Sequence, residues 1–456
     1  MENYGILSLV PVVIVIAIAV ATKRTIMALI IGGIVGAIIA YGKGFITPWV
    51  DALYGGLSDS TWQWMALVCG LFGSLVALLQ ASRSVYSFTE VATRYANSKR
   101  KSLVTTFILG CIIFVDDWLD VLVCSHAMKG VTDKNRVPRE MLAYIITSHG
   151  ANVCVLIPFS TWAAFFAGQY EANGLCAEGE GMSMYISSIP FMFFSSISLI
   201  ICFLICMKWF PVFGPMKLAT QRADAGEVLP PLPPEELAEI KRQEESESSE
   251  GKPVSFWNFL IPIIVLAIVT IVTGEILYGV MCAIITCAIL FFPQRLLTLQ
   301  QFCGAMLDGF KDMIGVIGIV YAAFVLRTFN EALGLTDFVI GLVDGKISAA
   351  LLPAVVFIVI AALIFAAGNF WGMAAITFPV VVPMGMAVGA DMTLLGAAIV
   401  CATTFGATAC FYGSEVSLTC AAVNVPNMTY VKTAYPFIAI SAGLAFIAFI
   451  IAGLVL

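Results

Sequence analysis

The sequence predicts an all-α polytopic membrane protein made of two inverted repeats of about five transmembrane helices, each carrying a re-entrant hairpin. Three observations lead there. Of 456 residues, 60% are hydrophobic and only 11% charged, and the apolar residues form continuous runs, unlike the alternation of barrel strands. An acidic stretch rich in proline and serine divides the chain, and apolar segments near residues 6, 25 and 183 recur near 258, 276 and 435, an offset close to 252. Basic residues, which concentrate in cytoplasmic loops, then assign the sides. The partner this composition implies is the lipid bilayer, not a nucleic acid, since the net charge is −6. Thirteen cysteines lie scattered with no C-x-x-C pair, so neither a disulfide framework nor a zinc site is expected, and no cofactor.

The chain divides into a first half (1–210), a linker (211–255) and a second half (256–456). No basic residue precedes the first apolar segment, so it reads as a retained helix, and it ends inside at Lys23 and Arg24. Two crossings later, Arg83, Arg94, Lys99, Arg100 and Lys101 mark an inner loop. Residues 102–128 follow, and beyond them Lys129, Lys134, Arg136 and Arg139 are again inside. That segment therefore enters, turns near Asp116 to Asp120, and leaves on the same side. Residues 141–170 cross outward to a loop bearing Glu171, Glu178 and Glu180, and 183–207 return to Lys208. Five crossings make the second half run upside down, with its own hairpin at 348–389 entering from outside and turning at Gly368 to Gly372. Treating each hairpin as a span gives about twelve helices and strands one basic loop outside. Residues 221–252 are too polar to bury a core and read as a solvated connector.

Four polar stretches interrupt the apolar segments: Asp116-Asp117-Trp118-Leu119-Asp120; Thr147 to Asn152; Gly368 to Gly372; and Thr403 to Thr408 running on to Tyr412-Gly413-Ser414-Glu415. They read as helix breaks, two in each half, which a pseudo-twofold axis would bring together near the midplane. Ionisable groups persist at membrane depth chiefly where they line an ion, proton or substrate pathway. The candidate site is Asp116, Asp117, Asp120, Thr147, Ser148, His149, Asn152, Gly368, Asn369, Trp371, Thr404, Thr408, Ser414 and Glu415, with Asp116, Asp117 and Asn369 as candidate sodium ligands. Adjacent Asp116 and Asp117 point about 100° apart on a helix, so one of them also suits the cap of the returning half-helix. Of the two histidines, His149 lies in a polar stretch and His126 near the basic interface, where a structural role is expected. Trp118, Phe159, Trp162, Phe370, Trp371 and Tyr412 flank the same stretches, where a pocket for organic matter would use them.

At these positions the chain resembles the NhaC-type sodium/proton antiporter family of the wider ion-transporter group. The resemblance covers residues 114–164, with the double aspartate Asp116-Asp117, the Thr132-Asp133-Lys134 run and Thr161-Trp162, and continues through 368–379 and 431–437. It implies secondary active transport coupled to Na+ or H+, in a homodimer with elevator-like movement, in a prokaryotic inner or plasma membrane. The chain departs where the family carries more acids: Thr147, Ala407, Thr408 and Ser414 stand there, and the second tip is the bulkier Gly368-Asn369-Phe370-Trp371. Simple sodium/proton exchange needs several carboxylates within reach of the ion, so these departures point to a divergent member carrying a small organic solute such as an amino acid. A Na+/H+ antiporter without organic substrate is the alternative. An ion channel and an intramembrane enzyme are more distant ones: no Gly-x-Gly-Asp or Gly-x-Ser-x-Gly sequence is present to support proteolysis.

Overall fold

The computed structural model describes residues 4–22, 24–84, 95–235, 237–238, 240, 254–273, 275–335, 338, 348–368, 370–411 and 413–456. The readings made for Lys23, Arg94, Asn369 and Tyr412, and for the side chain of His126, lie outside the described residues. Every regular element described is helical. Helices α1 (Val10–Thr22) and α2 (Thr25–Tyr41) pair with each other, the amphipathic α3 (Ile46–Ser58) follows, and α4 (Ser60–Ala81) starts behind Asp59, whose carboxylate caps Trp62 N–H at 2.9 Å. Then come α5 (Lys99–Ile112), α6 (Asp117–Lys134), α7 (Arg139–Leu156), α8 (Thr161–Ala172), α9 (Gly181–Ser188) and α10 (Phe193–Cys206). The linker contributes α11 (Gly214–Asp224). The second half runs α12 (Trp257–Thr273), α13 (Ile276–Phe291), α14 (Leu299–Ala332), α15 (Leu352–Ala367), α16 (Phe370–Val388), α17 (Met392–Ala409), α18 (Ser414–Ala422) and α19 (Asn427–Val455).

The two halves are in register. Helices α5, α6, α7 and α8 begin at 99, 117, 139 and 161, and α15, α16, α17 and α18 at 352, 370, 392 and 414, so each follows its counterpart by 253 residues. In both sets the first two helices fold back on each other as a hairpin, and the next two form one helix with an interruption. Among the described residues six helices are long and apolar enough to cross a bilayer, eight when the bent pairs α7–α8 (49°) and α9–α10 (51°) each count as one span. Contacts between distant segments group the loop ends as the basic residues assign them. Arg139 donates to Val423 O where both ends read as inner, and Trp64 donates to Glu275 at 2.8 Å where both read as outer.

Helices α4 and α14 pack so closely that a Cβ on Gly73 would stand 2.2 Å from Gly309 O. Only glycine permits that approach, and the pair forms one continuous wall beside the hairpin tips. Isoleucines 264, 268, 271, 285 and 289 of α12 and α13 are exposed, a face suited to lipid.

Three expectations change. The polar stretch 147–152 and the first part of the fourth stretch, 403–408, are not breaks: both remain helical within α7 and α17. Their side chains bond back to their own helices, Thr147 to Ala143 O, Asn152 to Ser148 O and Thr408 to Thr404 O, so polarity costs no unwinding. The first break follows at 157–160, and the second, seen at Cys410, Phe411 and Gly413, lies within the fourth stretch as it runs on to Glu415. Pro158 explains the first, since the residue before a proline is disfavoured in the helical region and Ile157 is extended. The first hairpin turns at 113–116, leaving Asp117 and Asp120 in the first turn of α6, and the second turns at Gly368, leaving Phe370 to Gly372 in α16. The linker is not solvated throughout. Helix α11 buries Met216, Ala219 and Ala223, Arg222 forks onto the buried Glu140 at 2.8 Å to each oxygen, and Arg139 N–H bonds Val228 O.

Candidate functional site

The first tip is fixed by its own acids. Asp116 adopts an extended backbone and caps α6, its carboxylate accepting from Leu119 N–H at 3.0 Å and from the Thr161 hydroxyl at 3.2 Å. Asp117 accepts from the Trp162 indole N–H at 3.0 Å, while its second oxygen is buried without a hydrogen-bond partner. Thr161 and Trp162 arrive because α8 restarts here: Ser160 caps it through Ala163 N–H, and Thr161 N–H bonds Val115 O in the turn. The break in α7–α8 thus brings Thr161 and Trp162 onto the tip.

At the second tip Gly368 ends α15 in the left-handed region (φ +70°), a conformation favouring glycine. Phe370 and Trp371 then meet Trp162 at ring-centroid distances of 5.4 and 4.5 Å, and Phe165 packs edge-on against Trp371. The two tips therefore touch through aromatic rings. Helix α18 restarts beside them at Ser414, and its Glu415 reaches across to accept from Ala151 N–H at 3.4 Å.

Between the tips and the α4–α14 wall lies a cavity of about 480 Å³. Asp116, Asp117, Trp118, Thr161, Gly368, Phe370, Trp371 and Ser414 line one side, and Gln80 and Asp312 the other. Behind it is a closed polar layer. His149 Nδ1 lies 2.6 Å from Asp120 Oδ2, and the Cys124 thiol donates to Asp120 Oδ1 at 3.1 Å. Two glycines make the room, since a Cβ on Gly110 would stand 2.2 Å from His149 Nδ1 and one on Gly150 2.6 Å from Glu415 Oε1. Asp120, Cys124 and His149 bring ligand atoms within 4.8 Å of one another, a donor set that suits a transition metal, although 2.6 Å between imidazole and carboxylate is hydrogen-bond spacing.

The structure sorts the sequence candidates into three groups. Asp116, Asp117, Gly368, Trp371 and Ser414 line the cavity. Asp120, His149 and Glu415 form the closed layer, with Ser148 buried on the same helix. Thr147, Asn152 and Thr408 form a helix-to-helix network with Tyr430, and Thr404 pairs with Ser195 at 3.0 Å. Asp312, Gln80 and Cys124 were not singled out from sequence. Asp312 lies well inside the 34-residue α14 and carries the signal that marked Asp116, but Asp308 and Lys311 beside it make the run resemble a water boundary.

Asp116, Asp117, Asp120 and Glu415 are 5%, 2%, 1% and 0% exposed, and among the described residues no lysine or arginine pairs with any of them. Buried charge of one sign needs a bound cation or protons to balance it. Two hairpins meeting an acid-lined cavity inside the helix bundle define a membrane transporter. The chain belongs to the Na+/H+ antiporter family, whose sequence model matches residues 153–454. An uncharacterized protein of Haemophilus influenzae is 25% identical, over 98% of this chain and 90% of its own. The fold is similar to that of the YdaH transporter of Alcanivorax borkumensis (TM-score 0.61, 13% identity, 90% of this chain and 89% of that one). It is also similar to MtrF of Neisseria gonorrhoeae, described among antimetabolite efflux pumps (TM-score 0.56, 13% identity, 95% and 94%). Family and structural neighbours are transporters, not enzymes.

Proposed function

We propose that the protein is an ion-coupled secondary transporter that moves a small organic solute, such as an amino acid, by symport or antiport across a prokaryotic cell membrane. The observation that carries this reading is the pairing of unbalanced buried carboxylates with a cavity far larger than an ion. At about 480 Å³ the cavity is in the range of small-molecule sites, and an unhydrated sodium ion alone would leave it almost empty. Asp116 and Asp117 hold the coupling cation, Na+ or H+: Asp117 offers an oxygen with no other partner, and Asp116 is already oriented by Leu119 and Thr161. The aromatic tip holds the solute body. Because both tips face the single α4–α14 wall, sliding of the hairpin unit along that wall, in each subunit of a homodimer, would expose the cavity alternately to the two sides.

The test is reconstitution in vesicles with an internal pH dye, adding sodium outside first without and then with a pool of amino acids and carboxylates. A pH change or solute uptake that requires the pool supports organic-solute transport. A full response to sodium alone, unaltered by the pool, establishes plain Na+/H+ exchange instead.

A further inference from the structure

We propose that the transported solute is an organic cation, a protonated amine on an apolar or aromatic body, docked between Asp117 on the hairpin tip and Asp312 on α14. The inference rests on the transporter reading above and names its substrate class. Asp117 supplies the first anchor, taken in turn by the amine and by the coupling cation as in antiport: it is 2% exposed, lines the cavity, and has one carboxylate oxygen with no hydrogen-bond partner. A buried oxygen of this kind is costly unless something donates to it. Asp312 supplies the second anchor from the opposite wall. Its neighbour Lys311 is turned about 100° away along the helix and pairs with Asp308 at 2.9 Å, so it does not neutralise the cavity face.

The rest of the lining selects charge by what it lacks. Among the described residues the cavity wall holds three aspartates and no lysine, arginine or histidine. A ligand carboxylate entering it would meet like charge at each wall with no basic group in return, and such repulsion is an effective basis for discrimination. A protonated amine meets the reverse: two carboxylate walls, with Trp118 and Trp371 lining the same cavity, aromatic rings to which a cation is attracted. Asp117 belongs to the hairpin unit and Asp312 to the α4–α14 wall, so the amine would bridge the two parts that must slide past each other.

The test is equilibrium binding to the full-length purified protein by calorimetry, using three probes with one aromatic body and different charge: phenethylamine, phenylalanine and phenylacetate. Phenethylamine is expected to bind most tightly, phenylalanine more weakly and phenylacetate not measurably. Asp312→Asn is expected to weaken phenethylamine about tenfold or more, the usual scale for losing a charged hydrogen bond, while Asp312→Glu retains the preference order. No binding of phenethylamine, equal binding of all three probes, a preference for phenylacetate, or an unchanged Kd in Asp312→Asn overturns the proposal. Sodium-driven flux in vesicles is recorded on the wild-type protein in parallel. Absence of any gradient-driven flux removes the transporter reading itself, whereas flux without the amine preference removes only the organic-cation assignment.

Discussion

At the first tip Asp116 and Asp117 open α6, and 253 residues later Phe370 and Trp371 open α16 behind Gly368. The broken helices beside them restart with matching hydroxyls, Thr161 in α8 and Ser414 in α18, but the residues that follow are exchanged. Trp162 donates to Asp117 at the acidic tip, and Glu415 occupies the equivalent position beside the aromatic tip. Each tip with its neighbouring helix thus carries both acid and aromatic groups, in swapped places. Duplicated backbone geometry fixed where the tips lie, and on the proposed function the divergence of side chains divides the work: a cation site on one tip and a surface for an apolar body on the other.

Breaking the acidic side should have the largest effect. Asp117→Asn or Asp116→Asn is expected to lower ion-driven flux about 10- to 100-fold, with insertion and monodispersity preserved; near-normal flux in both would remove the functional distinction between the tips. Gly150→Ala strikes the layer behind them. Its new methyl would lie 2.6 Å from Glu415 Oε1, and overpacking of this kind costs about 1–3 kcal/mol, to be read as a lower melting temperature in detergent.

Breaking the aromatic side should be milder and selective. Trp371→Ala removes the ring packed on Trp162 and Phe165, and solute affinity is expected to fall about tenfold, with sodium dependence retained. Equal loss of both affinities would mean that the ring only holds the acidic tip in shape. Glu415→Gln should give the smallest change, a shift in solute affinity or in the pH profile of flux. If neither moves, Glu415 serves the Ala151 contact alone. Cysteine labelling sharpens the frame on which the comparison stands: the loops at 85–100 and 130–137 are expected to label from the cytoplasmic side only.

Much of this was legible because membrane physics exposes it. Acids in an apolar run and paired basic loops located the first hairpin, and the repeat offset read from the sequence differs by one residue from the helix starts. The first break was misplaced for a specific reason. Thr147 and Asn152 look like interruptions by composition, yet each bonds a carbonyl one turn back, and the interruption belongs to Pro158; Thr403 and Thr408 bond back in the same way, and the second break lies nearer the end of its polar stretch. Proximity between distant segments could not be read at all. Nothing local says that Asp312 faces the tips, that Cys124 leans on Asp120, or that Arg222 reaches back to Glu140. The docking of α11 was hidden by the polar composition of the linker around its three buried apolar residues.

The most direct measurement is equilibrium binding of radiosodium and of a transported solute to Asp117→Asn and Trp371→Ala, side by side with the wild-type protein. Division of labour between the tips predicts that Asp117→Asn loses sodium binding far more than Trp371→Ala does, and that Trp371→Ala weakens the solute with sodium binding intact. Proportional loss of both ligands in both variants would contradict it and make the two tips a single undivided site.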